Sequence, residues 1–485
     1  MAKKRSAKLE GSVRAGRFKM PNGEQIPGVL TFDGTDTELR LDHDTRFQTP
    51  LMEHFDLHGE FSVDRRKVSL LRCVTTMGLG THSGPGIETT YSAEVGPNLV
   101  MIGNHHISSN EKVITRVYFL VDDAVQLFYD YGSFGSLVDA KPYIDEIANA
   151  NHKYLATLDE TEVKERVVTG DQPIIVYYTG KSEICSVSTS LGTVAAENHP
   201  SRPLVGGPSG VAIKNAIYSS ILFPEPVDVQ EATWRAVALV RLLELCAGRP
   251  QNMLNIGVLT TKGEHDYLEL YWPRRPYRRK EGEIREKPWA GSILLDPIRR
   301  CEEYDRVVPQ WLGRHKLWEE ARMHFFTCMH DQQQFGPARI TAAANMFDLI
   351  PPASLPPVPP KQQFNTLKTN ILHRAKIVTD DVPGRFPELE MVIDEAVKCR
   401  KRYIHARQGT IEYKDHFGVV VFLTQTLEFL FAASDLIECG WSLKNWLDGG
   451  SGGEHPFSKY AYDYQRELGF LKKTIAEHGL PQGDT

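Results

Sequence analysis

Residues 389–409 read LEMVIDEAVKCRKRYIHARQG, an apolar helical pattern that runs into a basic cluster and stops at a glycine. Leu389, Ile393, Ala396 and Val397 recur at steps of three and four, the spacing of one buried helix face. Arg400 falls four residues after Ala396 and continues that stripe. A guanidinium buried alone costs several kcal/mol or more, so it must open into a cleft, a partner or an anion. His405 lies five residues on, roughly 140° further round an ideal helix. Both side chains reach one groove if it wraps the helix edge, or if a second copy completes the site.

Arginine offers a permanent fork of donors for phosphate, and histidine titrates near neutral pH. The two together are a minimal kit for cleaving a phosphodiester without metal. Among the 17 histidines of the chain, His405 is the only one preceded by an arginine with four to six residues between. So short a pattern also arises by chance, and the competing reading is a solvated basic helix end.

Working outward, residues 350–361 (IPPASLPPVPPK) form a stiff proline-rich linker that ends the preceding region. We place the linker at 351–362 and an all-helical bundle at 363–485. That bundle contains the long apolar run HFGVVVFLTQTLEFLFAASDLIECG, which must lie between neighbours or in a dimer contact. The first half, 1–225, reads as strands. Segments 28–32, 37–41, 55–61, 68–74, 113–121, 163–168 and 174–178 are short, β-rich and divided by turn residues. They predict a β-sandwich or twisted two-sheet domain. The region 226–350 is expected to be mostly helical, starting with an amphipathic helix capped by Asp228 and closed by Gly248, with a hairpin from MLNIGVLTT and YLELYW. The fold class is therefore α+β and multidomain.

Within 272–289, Arg274, Arg275, Arg278, Arg279 and Lys280 surround Tyr277, a mixture suited to single-stranded nucleic acid or phosphate. The competing reading is a solvated loop partly neutralised by Glu281, Glu283 and Glu286. His324, Cys328 and His330 lie close in sequence but lack a fourth ligand, and the adjacent His105 and His106 lack a spaced set, so no metal or cofactor is expected.

The formal net charge of −6 excludes a wholly basic nucleic-acid coat, so any such site is local. Seven scattered cysteines without a CxxC pair read as reduced thiols, and cytoplasmic residence is expected. No run of about eighteen apolar residues predicts a membrane span, and the basic start MAKKRSAKLEGS lacks the apolar stretch of a signal peptide.

The carboxy-terminal part, CRKRYIHARQG followed by LTQTLEFLFAASDLIECG, resembles the ApeA-type branch of the HEPN superfamily, whose hallmark is Arg, four to six residues, then His. The stretches AGRFKMPNGEQIPGVLTFDGTDTELRLD and FDLHGEFSVDRRKVSLLRCVT resemble that family's β-rich amino-terminal domain, and VRLLELCAGRPQNMLNIGV resembles its helix-to-strand join. Lys401 stands where such proteins commonly carry a polar Asn.

The resemblance implies a metal-independent endoribonuclease that acts in antiphage defence by abortive infection, with RNA (tRNA above all) as target. It also implies a homodimer in which two Arg/His pairs face one strand. Arg400 and His405 would be catalytic, Lys401, Arg402 and Arg407 backbone contacts, and Tyr403 a core or stacking residue. Two alternatives stand beside this. One is a HEPN module that binds RNA or nucleotide without cutting; the other is the toxin half of a toxin–antitoxin pair. The large amino-terminal region suggests built-in sensing of a phage-derived trigger, so deletion of everything before Pro351 is expected to release activity.

Overall fold

In the computed structural model the described residues are 9–20, 23–44, 53–84, 87–130, 132–157, 169–200, 213–262, 267–279, 286–331, 335–360, 362–405, 413–450 and 453–478. The predicted strand 163–168, together with Lys280, Glu281, Glu283 and Arg407, lies outside them.

Six strands open the chain: β1 (Val13–Lys19), β2 (Gln25–Thr31), β3 (Glu38–His43), β4 (Phe55–Phe61), β5 (Lys67–Gly84) and β6 (Ile87–Gly96). They pair in the order β5-β4-β1-β2-β3-β6, and β6 returns to β5, so the sheet closes into a barrel. Alternation along β2 and β4 sends Ile26, Leu30, Leu57 and Phe61 inward around Phe18. Gly59 leaves room for Phe18, because a Cβ there would sit 2.6 Å from the Phe18 Cδ1.

Strand β5 serves two structures. Its first half, Lys67 to Leu71, also pairs with β7 (Leu99–Gly103), while Val74 onward pairs with β6. Between the halves Arg72 takes a left-handed φ of 52°, and its N–H donates to Asp56 Oδ1 at 2.9 Å. That kink lets one strand leave the sheet and enter the barrel.

Beyond β7 the same antiparallel sheet runs on through β8 (Ile114–Val121), β11 (Glu183–Thr189), β12 (Gly192–Pro200), β13 (Asn215–Val227), β14 (Met253–Thr260) and β15 (Tyr267–Tyr271), in the order β7-β15-β14-β8-β13-β12-β11. A separate ribbon pairs β9 (Phe134–Val138) with β10 (Ile174–Tyr178). The expected β-rich half and helical carboxy-terminal bundle are both present, and the strands resolve into a barrel continuous with an open sheet. The expected hairpin, β14–β15, forms and sits inside the amino-terminal sheet between β8 and β7.

The helices are α1 (Ala124–Leu127), α2 (Lys141–Ala156), α3 (Val229–Ala247), α4 (Cys301–Gly313), α5 (His315–His330), α6 (Pro337–Asn345), α7 (Leu367–Asp381), α8 (Leu389–His405), α9 (Phe417–Glu438), α10 (Leu443–Asp448) and α11 (Pro456–His478). Helix α3 has the predicted ends: Asp228 accepts from the Glu231 N–H, and Gly248 closes it at a φ of 68°. It lies on β8 and β13. Helix α9 is apolar and long enough to cross a membrane, but it is the centre of the bundle, packed by α4 to α8 and α11.

One apolar cluster runs from the sheet (Val117, Phe119) through α3, α4, α5 and α6 into the bundle (Leu423, Leu427, Leu471). The proline-rich stretch therefore bridges helices that already share a core. Trp441 and Trp446 donate their indole N–H groups to the Leu294 and Ile293 carbonyls, and Asn370 on α7 donates to the Phe347 carbonyl.

Candidate functional site

Helix α8 buries Leu389, Val392, Ile393, Ala396, Val397 and Cys399 against α6, α7 and α9, as its periodicity predicts. Glu395 is buried on the same helix, where it accepts from the Tyr413 hydroxyl at 2.6 Å and from Lys398 Nζ at 3.1 Å. These contacts fix the last turns of α8 in rotation.

Arg400 emerges at the edge of that buried face, its side chain 20% exposed. Its Nη2 donates to Asn345 Oδ1 at 2.7 Å, and the same nitrogen lies 3.8 Å from Asp348 Oδ2. Its Nε is buried and has no acceptor among the described residues. Burial pushes the Asp348 carboxyl above the usual range, while Arg400 pulls it back down. The guanidinium is thus anchored by Asn345 and partly exposed at the helix edge. A guanidinium so placed suits an oxyanion such as a phosphate.

His405 is the last residue of α8 and is exposed, about 7.5 Å further along the helix axis by the rise per residue. The imidazole is open to exchange a proton with solvent or a bound molecule. Lys401 is also exposed, and Arg402 and Tyr403 are half-buried. The Tyr403 ring is 6.4 Å from that of Tyr413, so it packs at the base of the helix end. Arg407 falls outside the described residues.

The second basic cluster is held elsewhere. Arg278 pairs with Glu10, and Arg279 lies 3.4 Å from Asp122, which fastens the segment to the barrel and sheet. Arg275 is half-buried with its Nε unpaired, and burial and the neighbouring Arg278 lower its pKa. Arg274 is exposed beside a 250 Å³ cavity that His54 and Arg72 also line. The ion pairs of Arg278 and Arg279 are made with the barrel and the end of β8, not with α8.

Of the other histidine groups, Cys328 is buried on α5, and His330 is taken up by Glu244 and Arg241. His106 and His58 flank the Ser69 hydroxyl, and burial pushes the His106 imidazole down to about 4. Sequence reasoning missed Asn345 and Asp348. They stand 55 and 52 positions before Arg400, across the linker, and no spacing rule reaches them.

Comparison with known families gives two matches. Residues 13–311 match the model of ApeA N-terminal domain 1, and residues 360–445 match that of the Apea-like HEPN domain. The first runs through the inserted hairpin and into α4; the second spans α7 to α9 and ends within α10. No curated protein and no solved structure matches the chain.

Proposed function

The chain belongs to the ApeA family of HEPN proteins, and from that premise we propose that it is a metal-independent endoribonuclease that cleaves RNA, tRNA foremost, to abort phage infection. Family membership points to an antiphage-defence HEPN effector with ribonuclease activity. The observation that supports the finer reading is the Arg400 guanidinium, anchored by Asn345 and partly exposed on the same helix as the exposed His405.

The chemistry follows from those two groups. His405 takes the proton from a ribose 2′-OH, whose oxygen attacks the adjacent phosphorus. The bond from phosphorus to the 5′ oxygen breaks as the new one forms. The leaving 5′ oxygen gains a proton, leaving a 2′,3′-cyclic phosphate and a 5′-OH. Arg400 holds the phosphate and stabilises the extra charge of the pentacoordinate transition state. Attack within one nucleotide carries its own proximity advantage. One imidazole cannot accept and donate in the same instant, and a homodimer that faces two Arg/His pairs to one strand supplies the second. DNA lacks the nucleophile and is spared. Arg402 and Lys401, next to the pair, are backbone contacts.

The test is cleavage of total bacterial tRNA in EDTA by the intact protein and by His405→Ala, with analysis of the new ends. Cyclic-phosphate ends from the intact protein and none from the variant are expected, since general acid–base help is worth about 10²–10⁴-fold. Equal cleavage by both refutes the assignment.

A further inference from the structure

Arg400 is held by a residue from outside its own bundle. The contact comes from the turn that ends α6, on the far side of the proline-rich segment. Its own helix offers no such support at the next position, because Lys401 is an exposed cation with no acceptor. A long side chain at the edge of a packed face has several rotamers open to it, and only a fixed acceptor selects one.

The turn that carries Asn345 is itself rigid. The Asp348 N–H donates to the Asn345 carbonyl at 3.0 Å, and the Phe347 N–H donates to the Ala344 carbonyl at 3.2 Å. The Phe347 ring is fully buried, and its carbonyl accepts from Asn370 of α7 at 3.3 Å. Nearby, Arg339 of α6 forms a two-pronged pair with Glu428 of α9, at 2.7 and 2.9 Å. Helix α6 is therefore tied to α7 and α9, and it presents Asn345 to Arg400 as part of one framework. Support of this kind, from packed elements rather than a loop, is what holds a reacting group within about 0.5 Å of its productive position.

From this geometry we infer that Asn345 is the positioning residue for Arg400, so that the RNA-cleaving site is a composite of α8 and the end of α6. The Asn345 oxygen takes one Nη2 hydrogen. That fixes the rotation of the guanidinium at the edge of the buried face and leaves its exposed part for the phosphate. Asp348 adds a carboxylate 3.8 Å from the same nitrogen, which reinforces the orientation.

This inference rests on the proposed reaction, and the experiment separates the two. Cleavage of tRNA in EDTA is compared for the intact chain, His405→Ala, Asn345→Leu and Asn345→Asp, with Tm measured for each. Leucine has the same branched four-atom skeleton as asparagine but removes the acceptor; aspartate keeps it. Asn345→Leu is expected to lower kcat about 10²-fold, the cost of a misplacement near 1 Å, with KM and Tm unchanged. Asn345→Asp restores most of the rate. If His405→Ala cleaves as well as the intact chain, or the intact chain makes no cyclic-phosphate ends, the reaction itself is misassigned. If His405→Ala is dead while Asn345→Leu keeps the full kcat, the positioning role is wrong. A rise in cleavage for Asn345→Leu overturns it as well, and marks the contact as a restraint on Arg400.

Discussion

Arg322 on α5 donates its Nε and Nη2 to the two carboxylate oxygens of Asp435 on α9, at 2.9 and 3.1 Å, and both side chains are 2% exposed. The guanidinium carbon lies 3.7 Å from the Trp311 ring centroid, and Arg322 Nη1 donates to the Trp311 carbonyl. Arg314 and the fully buried Arg374 reach Glu438, one turn further along α9. Helices on both sides of the proline-rich segment are joined here by charges that only each other can satisfy. Asp435→Asn leaves Arg322 in a dry site with its counter-charge gone, which costs on the order of 3–5 kcal/mol. Urea unfolding of the two proteins should show a lower midpoint for the variant; an unchanged midpoint would mean that water reaches the pair.

Arg400→Lys keeps the charge and loses the fork. An ammonium cannot meet both Asn345 and a phosphate along two edges, so cleavage should fall by about 10²-fold or more. The Tm should stay close to that of the parent, because the side chain sits at the edge of the core. Near-parental cleavage would reduce the role of Arg400 to that of a positive charge.

Acid should loosen the seam between the sheet and the bundle. His455 is buried, with Nε2 on the Leu245 carbonyl and Nδ1 accepting from the Phe457 N–H; burial pushes it down to about 3. His315 is pushed to about 3 by burial and by Arg322. Both folded values lie below that of an unfolded histidine near 6.5, so their stabilisation is complete above that pH and is lost as pH falls toward 3. Each group contributes about 1.4 kcal/mol per pH unit in that window, or about 4 kcal/mol for the pair between pH 6.5 and 5. The urea midpoint at pH 7 and pH 5 measures it, and His455→Gln should remove about half of the fall.

Removal of residues before Pro351 was expected from the sequence to release a restrained nuclease. The structure changes that expectation. The deletion strips Ile340, Ala343, Ala344 and Phe347 from a core they share with α8 and α9, and it leaves Asp435 and Glu428 without their arginines. The fragment should aggregate on expression and cleave nothing. A soluble, toxic fragment, shown by circular dichroism and growth arrest, would mean that the bundle is self-sufficient.

What could be read in advance follows the reach of each interaction. The face of α8 and both caps of α3 are set by neighbours within a few residues, and the periodicity of Leu389 to Val397 or the pair Asp228 and Gly248 records them directly. The proximity of β3 to β6 depends on Leu39 meeting Val95, and that of β14 to β8 on Val258 meeting Val117. Such pairings leave no local trace, since each strand reads the same whatever lies beside it. Proline-rich sequence looked like a boundary because its composition is stiff, yet separation depends on which faces are buried across it. Arg400 announced itself by interrupting an apolar stripe. Asn345, a small polar residue after an alanine-rich turn, gave no such sign.

The order in which the chain is made gives the hairpin insertion a further consequence. A nascent chain has completed β7 and β8 by Val121, but the strands that lie between them, β14 and β15, end only at Tyr271. The barrel can close on the ribosome early, whereas the open sheet waits for more than half of the protein to be translated, since the chain is made from the amino terminus at about 5–20 residues per second. Helix α6, with Asn345, follows, and α8 emerges last of these. The helix that carries Arg400 and His405 is therefore made only after Asn345, the residue that receives Arg400, and before α9, which closes over its buried face.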